Sequence, residues 1–304
     1  MVDGLALVLG GGGAAGQAWE IGIIAGLAEA GIDMTVGADL VIGTSAGATA
    51  AAQVRSGISP AELLGSVLSA HAGRGAHHRE KSPLMPMAGV FERMRAIGAA
   101  ATSAADLQRA MGAFGLECDP VLEPGAAQRR ATVAARLPRR EWPDRPMIVT
   151  AIDARTGELA TFDRDSGVAL VDAVTASTAL PGLVPTVPIN GSRYIDGGVR
   201  SSENLDLASG YAKVLVLAPL GGRSQRPPQA GQFEGLRRPP EWGMDLESQT
   251  EALRRQGSHV VVITPDADSR SAMGTNQMDL ATRIPAARAG FAQGRREATC
   301  SGGL

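Results

Sequence analysis

Apolar and polar positions alternate along the chain with two different periods. Short apolar runs typical of buried strands are separated by longer stretches with helical spacing. The predicted strands are residues 5–9, 39–42, 147–152, 193–195, 213–218 and 260–264. The predicted helices are 14–30, an Ala-rich segment ending at Ser56, a helix that begins after Ser59, 170–179 and 244–256. Such alternation over short connections predicts an α/β fold, a three-layer α/β/α sandwich with a mostly parallel central sheet.

Two stretches interrupt this alternation. Residues 73–146 mix His, Pro, Met and Arg with weak helical signals, and we predict that they form a helical cap insertion. Its apolar side chains fall on one helical face at Met87, Val90, Phe91, Met94 and Ile97. That face predicts a helix packed on the body of the protein, with a lid or a lipid-facing surface as the alternative. Residues 221–240 are rich in Gly, Pro, Gln and Arg, which predicts an exposed loop.

Composition narrows the class of protein and of partner. The chain has 304 residues, 44% hydrophobic and 20% charged, so we predict one globular domain over 1–304. Its 29 basic and 31 acidic residues lack the basic excess that nucleic-acid binding needs. Cys118 and Cys300 indicate neither a disulfide framework nor a metal site, which favours a reducing, cytoplasmic compartment.

No apolar run approaches the roughly 20 residues that span a bilayer. The apolar run nearest the start, residues 5–9, has no basic region before it, which favours a buried strand over a signal peptide.

A candidate nucleophile follows the second predicted strand. Residues 43–47, Gly-Thr-Ser-Ala-Gly, match the G-x-S-x-G pattern of a strand-to-helix turn that exposes a serine hydroxyl. Gly43 and Gly47 keep the two flanking positions small where strand and helix approach each other. The helix that follows Ser45 directs its N-terminus toward that residue, which favours developing negative charge. The alternative interpretation is an ordinary helix start with Ser45 as its cap.

A run of four glycines, residues 10–13, joins the first strand to the first helix. Its backbone N–H groups can surround one small anion, which in acyl transfer is the tetrahedral oxyanion. The spacing Gly11-x-Gly13-x-x-Gly16 also matches a dinucleotide-binding fingerprint, so a nucleotide-binding α/β protein is the rival hypothesis. That fingerprint expects an acidic residue at the end of the second strand. Because Asp33 precedes this strand and Asp39 begins it, we favour the oxyanion hole.

A serine nucleophile needs a base, and one acidic residue is well placed to supply it. Asp196 directly follows a predicted strand, which puts it at a carboxyl end, where catalytic groups of parallel sheets gather. Gly197 and Gly198 allow a tight turn that leaves the carboxylate accessible. The alternative is an ordinary Asp-Gly turn. Histidines are disfavoured as the base. His259 begins a predicted strand, and the other three lie in or beside the insertion, at His71, His77 and His78.

Taken together, these segments resemble the patatin-like phospholipase family. The resemblance rests on four motifs in the family's order, at residues 11–16, 43–47, 176–181 and 194–198, and covers residues 5 to about 220 without the insertion. It implies a Ser–Asp dyad without histidine, an acyl-enzyme intermediate, and no metal or cofactor. Carried over to this chain, it makes Ser45 the nucleophile and Asp196 the general base. The implied oxyanion donors are the N–H groups of Gly11, Gly12 and Gly13, with Ala46 as a candidate for one more.

The chain departs from the family pattern in two places. Ala15 occupies the position of a basic residue, which bears on phospholipid preference more than on hydrolysis. The usual Asn-x-Pro after the aspartate is missing, and Asn204 is the candidate substitute for its Asn. The resemblance predicts a serine hydrolase of lipid acyl esters, a carboxylesterase or a phospholipase A-type enzyme, with contact to a membrane surface left open. An inactive scaffold of the same fold is a further hypothesis, beside nucleotide binding.

Overall fold

The computed structural model describes residues 2–69, 87–222 and 238–300. Within them the strands are β1 (Val2–Leu9), β2 (Leu40–Thr44), β3 (Met147–Asp153), β4 (Leu159–Phe162), β5 (Val187–Ile189), β6 (Ser192–Asp196), β7 (Tyr211–Leu217) and β8 (His259–Ile263). The α-helices are α1 (Gly13–Glu29), α2 (Met34–Gly37), α3 (Ala46–Val54), α4 (Pro60–Ser69), α5 (Met87–Ala100), α6 (Ala104–Leu122), α7 (Ala126–Ala134), α8 (Leu170–Ser177), α9 (Leu246–Arg255), α10 (Ala267–Met273) and α11 (Arg283–Cys300).

The strands form one sheet in the order β5-β6-β3-β2-β1-β7-β8, with β4 also paired to β3. The five strands from β3 to β8 in this order run parallel. The pairings of β3 with β4, β3 with β6 and β5 with β6 are antiparallel. The prediction of a mostly parallel sheet is therefore confirmed. The sequence did not predict β4 and β5, which are short and have only one buried residue each, so their apolar pattern is weak.

Side chains of the central strands alternate between two cores. In β1, Leu7 and Leu9 pack on one face with α1, α3, α4, α8 and α11. Ala6 and Val8 pack on the opposite face with α9 and the turn at Leu205–Ala208. Because helices cover both faces, the parallel strands are apolar along their whole length. This arrangement is the predicted three-layer α/β/α sandwich.

Helix α11 was not predicted because residues 283–300 lack an apolar stripe of helical period. It packs against α1 through glycines on both helices. A Cβ on Gly22 would lie 2.2 Å from the Ala287 carbonyl oxygen, and one on Gly294 would lie 2.4 Å from that of Ile23. The two backbones approach this closely because Gly22 and Gly294 have no side chain at the contact.

Helices α5 and α6 form a separate apolar cluster against β3 and β6. Val90, Phe91 and Met94 of the predicted apolar face are buried there beside Ile152 and Ile195. Of the same face, Ile97 is half-buried and Met87 is 43% exposed. The predicted loop at 221–240 and the start of the predicted insertion lie mostly outside the described residues. Over the ranges that the structure describes, no helix is long and apolar enough to cross a membrane.

Candidate active site

Ser45 lies in the turn between β2 and α3 and has an unusual backbone conformation. Its φ is 55° and its ψ −121°, a region that non-glycine residues rarely occupy. Its N–H donates to the Ser177 hydroxyl at 2.9 Å, which holds this conformation from α8. No hydrogen bond joins the Ser45 side chain to the first turn of α3, which the structure describes in full. The interpretation of Ser45 as an ordinary helix cap is therefore wrong.

Two glycines make this turn sterically possible. A Cβ on Gly43 would lie 2.6 Å from the Ala48 Cα, and one on Gly47 would lie 2.1 Å from the Leu9 carbonyl oxygen. Real Cβ atoms essentially never approach other atoms this closely. The predicted requirement for small residues two before and two after the serine agrees with this geometry.

The Ser45 hydroxyl donates a hydrogen bond of 2.7 Å to Oδ2 of Asp196. The second carboxylate oxygen, Oδ1, accepts the Gly198 N–H at 2.8 Å. Asp196 is only 2% exposed, so the carboxylate is buried, and the prediction that the turn leaves it accessible is wrong. The structure thus brings together the two side chains that the sequence singled out for chemistry, although 151 positions separate them.

Asp196 reaches Ser45 by a different route from the one that the sequence indicated. Strand β6 runs antiparallel to β3, so its end lies near the carboxyl edge of the parallel strands only because β6 stops after a few residues, opposite Ala151. Asp196 pairs with Ala151, directly after Thr150, which pairs with Thr44 of β2. A Cβ on Gly197 would lie 2.4 Å from the Thr150 hydroxyl, so this glycine allows the turn to press against β3.

Burial and neighbouring charges act in opposite directions on Asp196. Burial raises the pKa of Asp196 to about 6, against the hydrogen bonds from Ser45 and Gly198 and the charges of Arg129 and Arg238. Arg129 donates to the Thr178 carbonyl and hydroxyl oxygens. Arg238 donates to the Gly198 carbonyl at 2.7 Å. Both guanidinium groups are thus fixed near the carboxylate.

The glycine run lies beside the serine, but its N–H groups are not equivalent. The Gly11 N–H donates to the Ser202 carbonyl at 2.8 Å, so Gly11 is committed elsewhere and the prediction of it as an oxyanion donor is corrected. Among the described residues, the N–H groups of Gly12, Gly13 and Ala46 meet no acceptor. All three line the same cavity as Ser45. A Cβ on Gly11 would lie 3.4 Å from the Cβ of Ser45, so the role left to Gly11 is to let the glycine run pass close to the serine.

Asn204 connects the three segments that carry the site. It is fully buried in a left-handed conformation, with φ 49° and ψ 45°. Its amide nitrogen lies 3.1 Å from the Thr44 hydroxyl, 3.3 Å from the Gly197 carbonyl and 2.8 Å from the Ser201 carbonyl. The residue two before it, Ser202, holds Gly11. The Asn204 side chain therefore fixes the serine turn relative to the aspartate turn, and the backbone beside it holds the glycine run.

Sequence reasoning gave no role to several residues that shape this site. Ser177 lies within the motif at 176–181, and its small polar side chain next to a proline turn was the available signal. Ser202 acts through its backbone carbonyl, and because every residue has one, the amino-acid type gives no signal of this role. Arg129 and Arg238 reach the site from α7 and from the segment before α9, and nothing local in the sequence distinguishes them from other arginines.

Glu203 is a second buried carboxyl group beside the site. It is 3% exposed and lines the cavity, and its Oε1 has no hydrogen-bond partner in the part of the chain that the structure describes. Burial, and then the charge of Glu247, raises the pKa of Glu203 to about 8. Burial also raises the pKa of the fully buried Glu20 well above its ordinary value. Both groups favour the protonated, neutral form.

We expect Glu203→Gln to make the protein more stable at pH 8 than the wild type, and by less at pH 5. Unfolded Glu203 releases its proton near its ordinary pKa of 4.5, whereas the folded protein retains it up to about 8. Between these values the folded state binds more protons, so stability falls as pH rises, by up to about 1.4 kcal/mol per pH unit. Urea denaturation at several pH values measures this slope. The exposed Glu92→Gln is the control, and a variant less stable than wild type at pH 8 would contradict the argument.

The cavity in front of Ser45 has a volume of about 750 Å³. Apolar side chains form much of its wall, namely Met94, Met111, Leu180, Leu183 and Val184. Arg129, Arg136 and Arg283 add positive charge. The volume suits an acyl chain or a small lipid better than a polymer. Within residues 2–69, 87–222 and 238–300, no group of three or more His, Cys, Asp or Glu is placed to hold a metal ion.

The features required for dinucleotide binding do not come together. Asp39 accepts the Leu5 N–H at the amino end of the sheet, and Asp33 caps α2 through the Thr35 N–H. Neither carboxylate is at the end of β2, where a ribose partner belongs. His259 begins β8, also at the amino edge, as predicted. The other three histidines, at 71, 77 and 78, lie outside the described residues.

Comparison with known proteins agrees with the motifs. Residues 7–209, more than half of the chain, match the family described as patatin-like phospholipase. No curated protein matches the sequence. The identification rests on the family match.

Similar solved structures include VipD from Legionella pneumophila, with 14% identity, a TM-score of 0.42, and coverage of 98% of this chain and 67% of that one. The type III effector protein ExoU has 16% identity and a TM-score of 0.39, with 97% of this chain and 53% of that one covered. ExoU of Pseudomonas aeruginosa in complex with SpcU has 17% identity and a TM-score of 0.34, with 97% and 52% covered. The chain thus spans about half the length of ExoU. On the family match over residues 7–209, this protein belongs to the patatin-like phospholipase family.

Proposed function

We propose that the protein hydrolyses acyl esters of lipids, with Ser45 as nucleophile and Asp196 as general base. The observation that carries the proposal is the 2.7 Å hydrogen bond from the Ser45 hydroxyl to Oδ2 of Asp196. The strained serine turn and the apolar cavity support it. A carboxylate in direct contact with a serine hydroxyl can take its proton without a histidine between them.

In the first half-reaction, Ser45 Oγ attacks the ester carbonyl carbon while its proton passes to Asp196 Oδ2. The carbonyl oxygen becomes an oxyanion that accepts hydrogen bonds from the N–H groups of Gly12, Gly13 and Ala46. Collapse of this intermediate breaks the bond to the alcohol oxygen, which takes the proton from Asp196. In the second half-reaction Asp196 takes a proton from water, whose oxygen attacks the acyl-enzyme, and Ser45 recovers its proton as the acid leaves.

The environment of Asp196 suits this role. A carboxylate with an ordinary pKa of 3.8 is a weak base near neutral pH, whereas a pKa of about 6 brings it closer to the working range. Burial supplies the increase, and the Gly198 N–H keeps one oxygen oriented so that the other faces Ser45. The base is therefore both stronger and fixed in direction.

We further propose that the chain is one catalytic domain whose insertion, about residues 73–146, caps the acyl site. Helices α5, α6 and α7 contribute Met94, Met111 and Arg129 to the cavity. The apolar cluster of α5 and α6 against Ile195 places them directly beside the strand that carries Asp196. With these side chains in the cavity wall, the cap helps to determine which acyl chains the enzyme accepts.

Covalent labelling with a fluorophosphonate tests the nucleophile. We expect one label per chain, recovered on the peptide that contains Ser45, together with turnover of p-nitrophenyl esters of increasing chain length. Ser45→Ala should lose both the label and turnover, because it removes the hydroxyl that Asp196 contacts. Ser66→Ala, which removes an exposed hydroxyl on α4, is the matched control and should behave as wild type. Label or full turnover in Ser45→Ala, or an unreactive wild type, would remove the basis of the proposal.

A further inference from the structure

We infer that the opening of the cavity is a docking surface for a lipid bilayer that carries anionic headgroups. The inference rests on the proposed function and goes beyond it, because it names the surface that meets the substrate. Within the described ranges, the exposed large hydrophobic side chains are Val36, Met87, Val121, Met278 and Leu280. Three of these five also line the cavity, namely Met87, Met278 and Leu280. We call these three residues the apolar rim.

A side chain that is exposed and also lines a cavity must lie at its opening. Met87 is 43% exposed, Met278 36% and Leu280 61%. Single exposed apolar residues are ordinary on protein surfaces and need no explanation. The apolar rim is different because its residues come from separate parts of the chain, the start of α5 and the segment between α10 and α11. The fold therefore collects them around one opening.

Arginines line the same cavity, together with the carboxyl groups of Asp196, Glu203, Asp245 and Glu247. Arg136 is exposed and Arg283 is half-buried, and Arg283 directly follows the segment that contains Leu280. Burial lowers the pKa of Arg283, and the charge of Arg136 lowers it further, so the two guanidinium groups lie close enough to repel each other. The one acidic side chain between Met278 and Leu280 is the exposed Asp279, which accepts the Ala281 N–H within its own turn. Two neighbouring arginines are complementary to the phosphate oxygens of anionic lipids.

This combination fits a bilayer surface. Apolar side chains enter the boundary of the acyl region, while arginines remain at the level of the headgroups. A lipid ester can then pass from the bilayer into the cavity without exposing its acyl chain to water. A second copy of this chain could also cover apolar side chains, but it offers no reason for the rim to surround the substrate cavity.

Vesicle sedimentation tests the inference, with Ser45→Ala as background so that the vesicles stay intact. We expect the Met278→Ser/Leu280→Ser double variant to bind phosphatidylcholine vesicles that contain phosphatidylglycerol about tenfold more weakly. Val36→Ser is the matched control, because Val36 is 65% exposed but does not line the cavity. It should bind as the background does. In the active protein, the double variant should lose about tenfold more activity on vesicles than on a soluble short-chain ester.

A separate variant tests whether the arginines at the cavity contribute to binding of anionic lipids. Arg283→Gln should reduce the preference for vesicles with phosphatidylglycerol over pure phosphatidylcholine. Vesicle binding unchanged in the double variant, or equal loss in Val36→Ser, would overturn the docking surface. Concentration-dependent dimers in sedimentation velocity that disappear in the double variant would assign the rim to a second copy instead. If Ser45 is not labelled but binding still depends on the rim, the proposed hydrolysis fails while the docking surface stands.

Discussion

Asp196→Asn is expected to lower kcat on a soluble ester by about 10³-fold, with the protein still folded. Asparagine has nearly the shape of aspartate, and its carbonyl oxygen can still accept the Gly198 N–H. It cannot take the proton of Ser45, because an amide is not a base near neutral pH. With that oxygen on Gly198, the amide NH2 replaces Oδ2 and donates to Ser45 Oγ, so the hydroxyl loses the acceptor that it has 2.7 Å away in the wild type.

The pH dependence of the wild type gives an independent readout of the same residue. Because the base must be ionised and burial raises the pKa of Asp196 to about 6, kcat should be constant above this pH and fall about tenfold per unit below it. The residual activity of Asp196→Asn should lack this inflection. Asp144→Asn is the control, since the Asp144 side chain is 99% exposed. An unchanged kcat in Asp196→Asn, or an inflection near pH 6 that survives the substitution, would show that another group is the base.

Gly47→Ala is expected to reduce the free energy of unfolding by about 3 kcal/mol or more and to impair activity as well. The added Cβ would lie 2.1 Å from the Leu9 carbonyl oxygen and 2.7 Å from that of Gly10. Both are backbone atoms, so no flexible side chain can move aside. Relief of the clash must separate α3 from the glycine run, which displaces the Gly12 and Gly13 N–H groups from Ser45.

A second glycine in a helix gives the matched control for this variant. A Cβ on Gly65 of α4 would meet nothing within 4 Å. Gly65→Ala should therefore stabilise the protein by about 0.5–1 kcal/mol, since alanine is the better helix former. Urea denaturation and ester turnover measure both variants. Gly47→Ala with wild-type stability would mean that the close approach of strand and helix is not required.

Local patterns predicted much of the fold correctly. Short apolar runs bounded by glycines gave the central parallel strands, because a strand covered on both faces must be apolar throughout. Helix α11 and strands β4 and β5 were missed because they depend on partners elsewhere in the chain. Gly290 and Gly294 have no apolar pattern of their own, and their role is visible only against Trp19 and Ile23 of α1.

The sequence by itself determined the steric character of the site. Gly43, Gly47 and Gly197 stand where a Cβ would collide with backbone or with Thr150, and the need for glycine at these fixed spacings leaves a readable motif. The order of the motifs also identified the family. A glycine at a fixed position in a motif is visible in the sequence even where the atom it avoids, in Leu9 or Thr150, is distant along the chain.

Only the tertiary structure decided which groups face one another. It brought Asp196 to Ser45 along an antiparallel strand, buried that carboxylate, and committed the Gly11 N–H to Ser202. It also placed Asn204 among three segments and gathered Met278 and Leu280 at the opening of the cavity. Hydrogen-bond partners, burial and the resulting pKa values depend on contacts between residues more than a hundred positions apart, and a local pattern carries no information about these contacts.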